Sequence, residues 1–173
     1  MPETSLIIDD FSQTRAESAI GTNWQLFTDR VMGGLSHGNV VREIVSGRSA
    51  IHMRGDVRLE NNGGFIQISL DLTPDGDSFD ASNWLGIEID VYGKSNEYDM
   101  RLRTSELTRP WQSYRQSFTV EPHWKTVQLS FGQFEPHRTG KPLNIRRLRR
   151  LGLVAIGKAF SADLALGRIG FFA

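Results

Sequence analysis

Apolar and polar residues alternate along this chain in short runs of period two. In the run 64–72, Ile66, Ile68 and Leu70 share one side, and Phe65, Gln67 and Ser69 share the other. Leu85, Ile87, Ile89 and Val91 fall together, as do Tyr98, Met100, Leu102 and Thr104, with Asp99, Arg101 and Arg103 opposite. Successive side chains of a strand point to opposite faces, so each run predicts a half-buried strand. Comparable runs cover 24–27, 39–45, 49–54, 57–60, 113–120, 125–130, 150–156 and 164–172. Ser46-Gly47-Arg48 is a tight hairpin turn between two of them. Residues 11–24 are polar and irregular, with room for a helical turn, and 74–82 read as a loop. About ten strands with no long helical period between them predict an all-β sandwich filling residues 1–173 as a single domain.

Composition narrows the function more than the fold. The 173 residues suit one domain. Lys plus Arg equals Asp plus Glu at 20 each, which argues against a nucleic-acid binder relying on bulk charge. Arg146-Arg147-Leu148-Arg149-Arg150 is a local exception. It reads first as a solvated turn anchored by Ile145, Leu148 and Leu151, and second as a docking patch for an acidic partner. With no cysteine, disulfides and thiolate chemistry are excluded. No apolar run reaches the length of a membrane span, and Met-Pro-Glu-Thr-Ser lacks the parts of a secretory signal. A cytoplasmic protein without membrane insertion is the expectation.

Two segments thirty residues apart stand out: Asp29-Arg30-Val31-Met32-Gly33-Gly34-Leu35-Ser36 and Leu59-Glu60-Asn61-Asn62-Gly63-Gly64-Phe65. Each places an acid shortly before a Gly-Gly step that leads into a strand. Positive φ is expected at these glycines. Together with Trp24, Leu85-Gly86-Ile87 leading to Asp90-Val91-Tyr92-Gly93, Tyr98 with Arg101 and Arg103, and the closing Arg168-Ile169-Gly170, they resemble the complex I intermediate-associated protein 30 family over nearly the whole chain. The resemblance implies a galactose-binding-like jelly-roll sandwich. It also implies a stand-alone, bacterial-type relative of mitochondrial complex I assembly factors and of plant photosystem-biogenesis proteins. It transfers no catalytic residues.

Candidate chemistry comes from the residues themselves. Asp29, Arg30, Glu60, Asn61 and Asn62 could hold a ligand, or they could brace the glycine turns through backbone N–H groups. Asp29, Glu60 and Asn61 carry the oxygens a hard cation takes, but no D-x-D-x-D-G loop organises them, and no metal or cofactor is expected. Gly34-Leu35-Ser36-His37-Gly38 matches the nucleophile-elbow pattern, yet a strand follows where that elbow needs a helix. Arg101 and Arg103 project the same way from one strand. With Trp111 and Tyr114 they suit a carboxylate, phosphate or sugar, or else they pair with Glu88, Asp90 or Asp99. The expected function is a non-catalytic binding module that engages a protein partner or small polar ligand on a concave sheet face. The alternatives are a carbohydrate-binding module and an enzyme using Asp29 or Glu60 as acid/base. The oligomeric state is not legible.

Overall fold

A computed structural model describes residues 5–12 and 17–173. Twelve strands account for most of them: β1 Ser5–Asp9, β2 Gln25–Thr28, β3 His37–Val45, β4 Arg48–Val57, β5 Phe65–Asp71, β6 Gly86–Gly93, β7 Asn96–Thr104, β8 Ser113–Val120, β9 Lys125–Ser130, β10 Glu135–His137, β11 Leu148–Ile156 and β12 Phe160–Phe172. They form two six-stranded antiparallel sheets. The first runs β3-β4-β12-β6-β9, with β1 also on β12; the second runs β10-β8-β7-β11-β5-β2. This is the all-β sandwich that the period-two runs predict, in the jelly-roll form that the family resemblance implies. Among the described residues no helix is long and apolar enough to cross a membrane.

Alternation decides what lies between the sheets. Ile66 and Ile68 of β5, Met100 and Leu102 of β7, and Leu151 and Leu153 of β11 turn inward from the second sheet. Met53 of β4, Ile87 and Ile89 of β6, and Leu164 and Leu166 of β12 turn inward from the first. Fully burying one such aliphatic side chain contributes about 1.5–3 kcal/mol. Phe79, Trp84 and Phe171 stack at 5.2–5.9 Å between ring centroids where β6 and β12 end together.

Several boundaries differ from expectation. Val57 ends β4, and 58–60 is not a strand: Glu60–Asn62 forms a 3₁₀ turn. The backbone N–H of Arg58 is drawn to the Ser36 hydroxyl instead of a neighbouring strand. β1 and β10 lack an alternating signature, because each is a short edge strand. Pro136 sits in β10, where an edge position spares it from donating a ladder hydrogen bond. Part of the suggested helical turn in 11–24 lies at residues 13–16, outside the described residues. The described remainder has a bridge between Glu17 and Asn23. The Arg146-Arg147 segment is a 3₁₀ turn capped by the Asn144 side chain, with Leu148 and Leu151 buried as its anchors.

Candidate functional site

Asp29 opens a 3₁₀ turn, Asp29–Met32, whose first turn is capped by the Thr28 hydroxyl. Its carboxylate is 0% exposed and faces the second glycine segment. Asp29 Oδ1 accepts from the Ser36 N–H at 3.0 Å. Oδ2 accepts from the Ser36 hydroxyl at 2.5 Å, the Gly64 N–H at 2.5 Å and the Phe65 N–H at 3.3 Å. Ser36 Oγ in turn accepts from the Arg58 N–H at 2.8 Å. Burial alone would raise the Asp29 pKa; the bonds from Ser36, Gly64 and Phe65 outweigh it and hold the carboxylate below its ordinary 3.8. One buried acid therefore clasps the two glycine segments together.

The four glycines divide into two pairs. Gly33 and Gly64 have φ of +85° and +131°, as expected. Gly34 and Gly63 do not. A Cβ on Gly34 would lie 2.5 Å from Asp29 Cγ, and one on Gly63 would lie 2.5 Å from Asp29 Oδ2. These two are glycine because the carboxylate must come close, not because the backbone turns left-handed.

The remaining residues of these segments brace the clasp from outside. Arg30 Nε donates to the Ser36 carbonyl at 3.0 Å. Asn61, at φ +58°, donates from Nδ2 to the Gly33 carbonyl at 3.2 Å. Glu60 is exposed and paired with Arg58 at 2.6 Å, and that hydrogen bond holds its pKa below the ordinary value. General acid catalysis needs the opposite shift. The Asn62 side chain lies outside what is described. Asp29 is buried in the clasp while Glu60 is paired with exposed Arg58, and among the described residues no group of three or more His, Cys, Asp or Glu has the geometry for a metal ion. Ser36 is buried between a 3₁₀ turn and β3, so it has neither the helix nor the exposure of a nucleophile elbow.

The outward face of the second sheet carries different chemistry. Antiparallel register sets Arg101 opposite Arg115 and Asp99 opposite Ser117, and β10 adds Glu135 beside Arg115. Arg101 is held in the plane of the sheet. It bonds Asp99 through Nε and Nη2 at 3.2 and 2.9 Å, and Ser113 through Nη1 at 3.1 Å. Asp99 also accepts from the Ser117 hydroxyl at 3.0 Å. Asp99 forms part of the floor of a cleft of about 430 Å³, lined also by Glu97, Arg115, Ser117, Gln133, Glu135 and Ile156. Arg101 holds Asp99 without lining the cleft itself. Glu97, Arg115 and Glu135 carry no ion pair among the described residues. His137 stands beside this floor. Burial, then the charges of Arg101, Arg115 and Arg138, push its imidazole below 6.5.

The expected aromatic partners are elsewhere. Tyr114 is 0% exposed and faces the core, its hydroxyl 3.0 Å from the Lys141 carbonyl. Trp111 is 57% exposed in the β7–β8 loop, with the Arg109 guanidinium 5.9 Å over its ring. Arg103 holds that loop: its Nη1 reaches the carbonyls of Arg109, Pro110 and Gln112. The clasp meets β5 at Phe65, which pairs with Ile156, whereas Trp111 lies at the opposite end of the sheet. The structure thus joins Asp29, Arg30, Glu60 and Asn61 in one assembly, and separates them from Arg103 and Trp111. Arg115 follows Trp111 and Tyr114 in the segment expected to pair with the Arg101 strand, and it does pair there. Sequence reasoning missed Ser117 and Glu135: the alternation of β8 signals the first, but only the pairing of β10 brings in the second.

The sequence profile described as complex I intermediate-associated protein 30 matches residues 10–166. The chain belongs to that family. No curated protein sequence is significantly similar to this family member. Solved structures show the same fold. The family 11 carbohydrate-binding module from Clostridium thermocellum, solved with a β-1,3-1,4-mixed-linked tetrasaccharide, is 18% identical with a TM-score of 0.72, over 98% of this chain and 95% of that one. The family 30 carbohydrate-binding module of the C. thermocellum cellulosomal cellulase Cel9D-Cel44B is 13% identical with a TM-score of 0.60, over 81% and 91% of the two chains. An agarase, AgWH50C, matches 99% of this chain over 25% of its own length, at 10% identity and a TM-score of 0.67. At such identities the likeness is one of fold.

Proposed function

We propose that this chain is a non-catalytic binding module that holds a small, hydroxyl-rich polar ligand in the cleft on the outward face of the second sheet. The observation that carries this reading is the cleft lining: Glu97, Glu135, Arg115, Gln133 and Ser117 with Asp99, which Arg101 holds in place. Carboxylates and amides accept and donate to vicinal hydroxyls, and a guanidinium donates in a fixed fork. Glu97, Arg115 and Glu135 make no ion pair among the described residues, so their hydrogen-bonding groups are open to a ligand. The sheet positions support the floor rigidly, since Arg101 has bonds on three of its nitrogens. The shared fold with carbohydrate-binding modules makes a neutral oligosaccharide the first ligand to test.

Calorimetric titration with a panel of neutral β-linked oligosaccharides tests the reading. Binding should weaken roughly tenfold in Arg115→Ala, the loss typical of one charge-assisted hydrogen bond. Wild-type binding that Arg115→Ala and Glu135→Ala leave unchanged would count against the cleft.

A protein partner is the second reading. The family's name points to association with an assembling complex, and the clasped segments hold out Val31, Met32, Leu35 and Leu59, with Val31 75% exposed. Apolar side chains on a rigid, polar-braced platform suit a protein surface. A partner captured by the wild type and lost in Val31→Asp with Met32→Asp would favour it.

A further inference from the structure

At the end of the second sheet away from the clasp, Arg103 of β7 and Arg150 of β11 are directly opposed in register. Like charges facing each other across an antiparallel pair repel. A register shift between Leu148 and Arg150 brings Arg149 to the same place, and the three line a hollow of about 190 Å³ with Thr104 and Leu107. Compensation is sparse. Asp71 takes Arg150 Nε at 2.7 Å, while every hydrogen bond of Arg103 goes from Nη1 to loop carbonyls. The Arg149 side chain makes no hydrogen bond or ion pair among the described residues; its backbone carbonyl accepts the Leu72 N–H. Asp75 lies in the nearby loop, but its carboxylate accepts from the Asp77 N–H of its own turn. Burial, then the charges of Arg150 and Arg149, hold the Arg103 pKa below its ordinary value.

We propose that Arg103, Arg149 and Arg150 form a binding site for a phosphate-type tetrahedral oxyanion. An arginine fork matches such oxygens bidentately. A dianion placed between the three guanidiniums turns a repulsive cluster into an attractive one. The hollow, at about 190 Å³, is well above the minimum of about 10–15 Å³ that admits one water, so it has room for a phosphate group. The site lies about 13 Å along β7 from Asp99, taking four residues at roughly 3.3 Å each. It shares no lining residue with the polar cleft, so it stands or falls independently of the function proposed above.

The test is an NMR titration of the labelled wild-type chain with inorganic phosphate at fixed low ionic strength, with glucose 6-phosphate as a second arm. Amides of 103–107 and 148–150 should shift in a saturable way. Arg149→Gln should weaken binding about tenfold and Arg149→Lys should recover much of it. Asp71→Asn should tighten binding, because it frees Arg150. Arg54→Gln, on the other sheet, should change nothing. Tighter binding of the sugar phosphate identifies a phosphate group on a ligand as the occupant; equal binding identifies the free anion. Absence of saturable shifts, or shifts that Arg149→Gln leaves unaltered, would overturn the site.

Discussion

The Ser36 hydroxyl and the Asp29 carboxylate lie 2.5 Å apart, and the same carboxylate oxygen receives the Gly64 N–H from the other glycine segment. Replacing that acceptor by an amide should therefore cost stability in a specific way. In Asp29→Asn, an NH₂ group would face N–H donors with nowhere to move. A loss of roughly 3 kcal/mol is expected by urea denaturation. The folded pKa of Asp29 lies below the unfolded 3.8. Its contribution is complete above 3.8 and is lost as pH falls through the folded value. The stability gap between wild type and Asp29→Asn should thus be constant near neutrality and narrow only below about pH 4.

The glycine pairs should respond differently to substitution. Gly33→Asn should cost less than about 1 kcal/mol, since asparagine accepts the left-handed region and nothing lies within 4 Å of its Cβ position. Gly34→Ala and Gly63→Ala should each cost roughly 2–3 kcal/mol by pushing on a carboxylate that has no free space. Equal losses in thermal or chemical denaturation for Gly33→Asn, Gly34→Ala and Gly63→Ala would show that the close approach to Asp29 is not the constraint.

Tyr114 and Trp111 should separate stability from binding. Tyr114→Phe removes a buried hydrogen bond to the Lys141 carbonyl and should lower stability by about 1 kcal/mol. Ligand affinity should not change, because the ring faces the core. Trp111→Ala should leave stability nearly unchanged, its ring being largely exposed. Denaturation and calorimetry on the two variants read both effects.

Tyr98 should titrate late. Burial is the main cause pushing its hydroxyl up to about 12, with the Asp163 charge adding to it, while the Asp163 N–H that it accepts opposes them. Because the folded pKa exceeds the unfolded 10, its contribution to stability is complete below pH 10 and is lost as pH rises through 12. An ultraviolet titration of phenolate formation should show a late step that disappears in Tyr98→Phe.

What could be read from the residues depended on how local each determinant was. The β5, β6 and β7 strands follow from Ile66/Ile68/Leu70, Ile87/Ile89/Val91 and Met100/Leu102, because alternation is written into adjacent positions. Leu85, which shares the β6 pattern, lies just before the strand and is 63% exposed. Val57-Arg58-Leu59-Glu60 alternates equally well. Yet Leu59 is half exposed, and Arg58 gives its N–H to a serine 22 residues away, a contact that spacing does not encode. The two glycine motifs announced a demanding backbone, but the reason for Gly34 and Gly63 needed the position of Asp29. The arginine face was legible as a strand face. Its division into a polar cleft and a separate arginine hollow depends on how β10 and β11 pair.

NMR shift mapping with the mixed-linked tetrasaccharide and related neutral oligosaccharides tests ligand binding in the cleft most directly. The prediction is saturable shifts centred on Glu97, Asp99, Arg115, Ser117 and Glu135, weakened by Arg115→Ala. Silence across the panel, or shifts confined to the Val31–Met32 segment or the Trp111 loop, would contradict it.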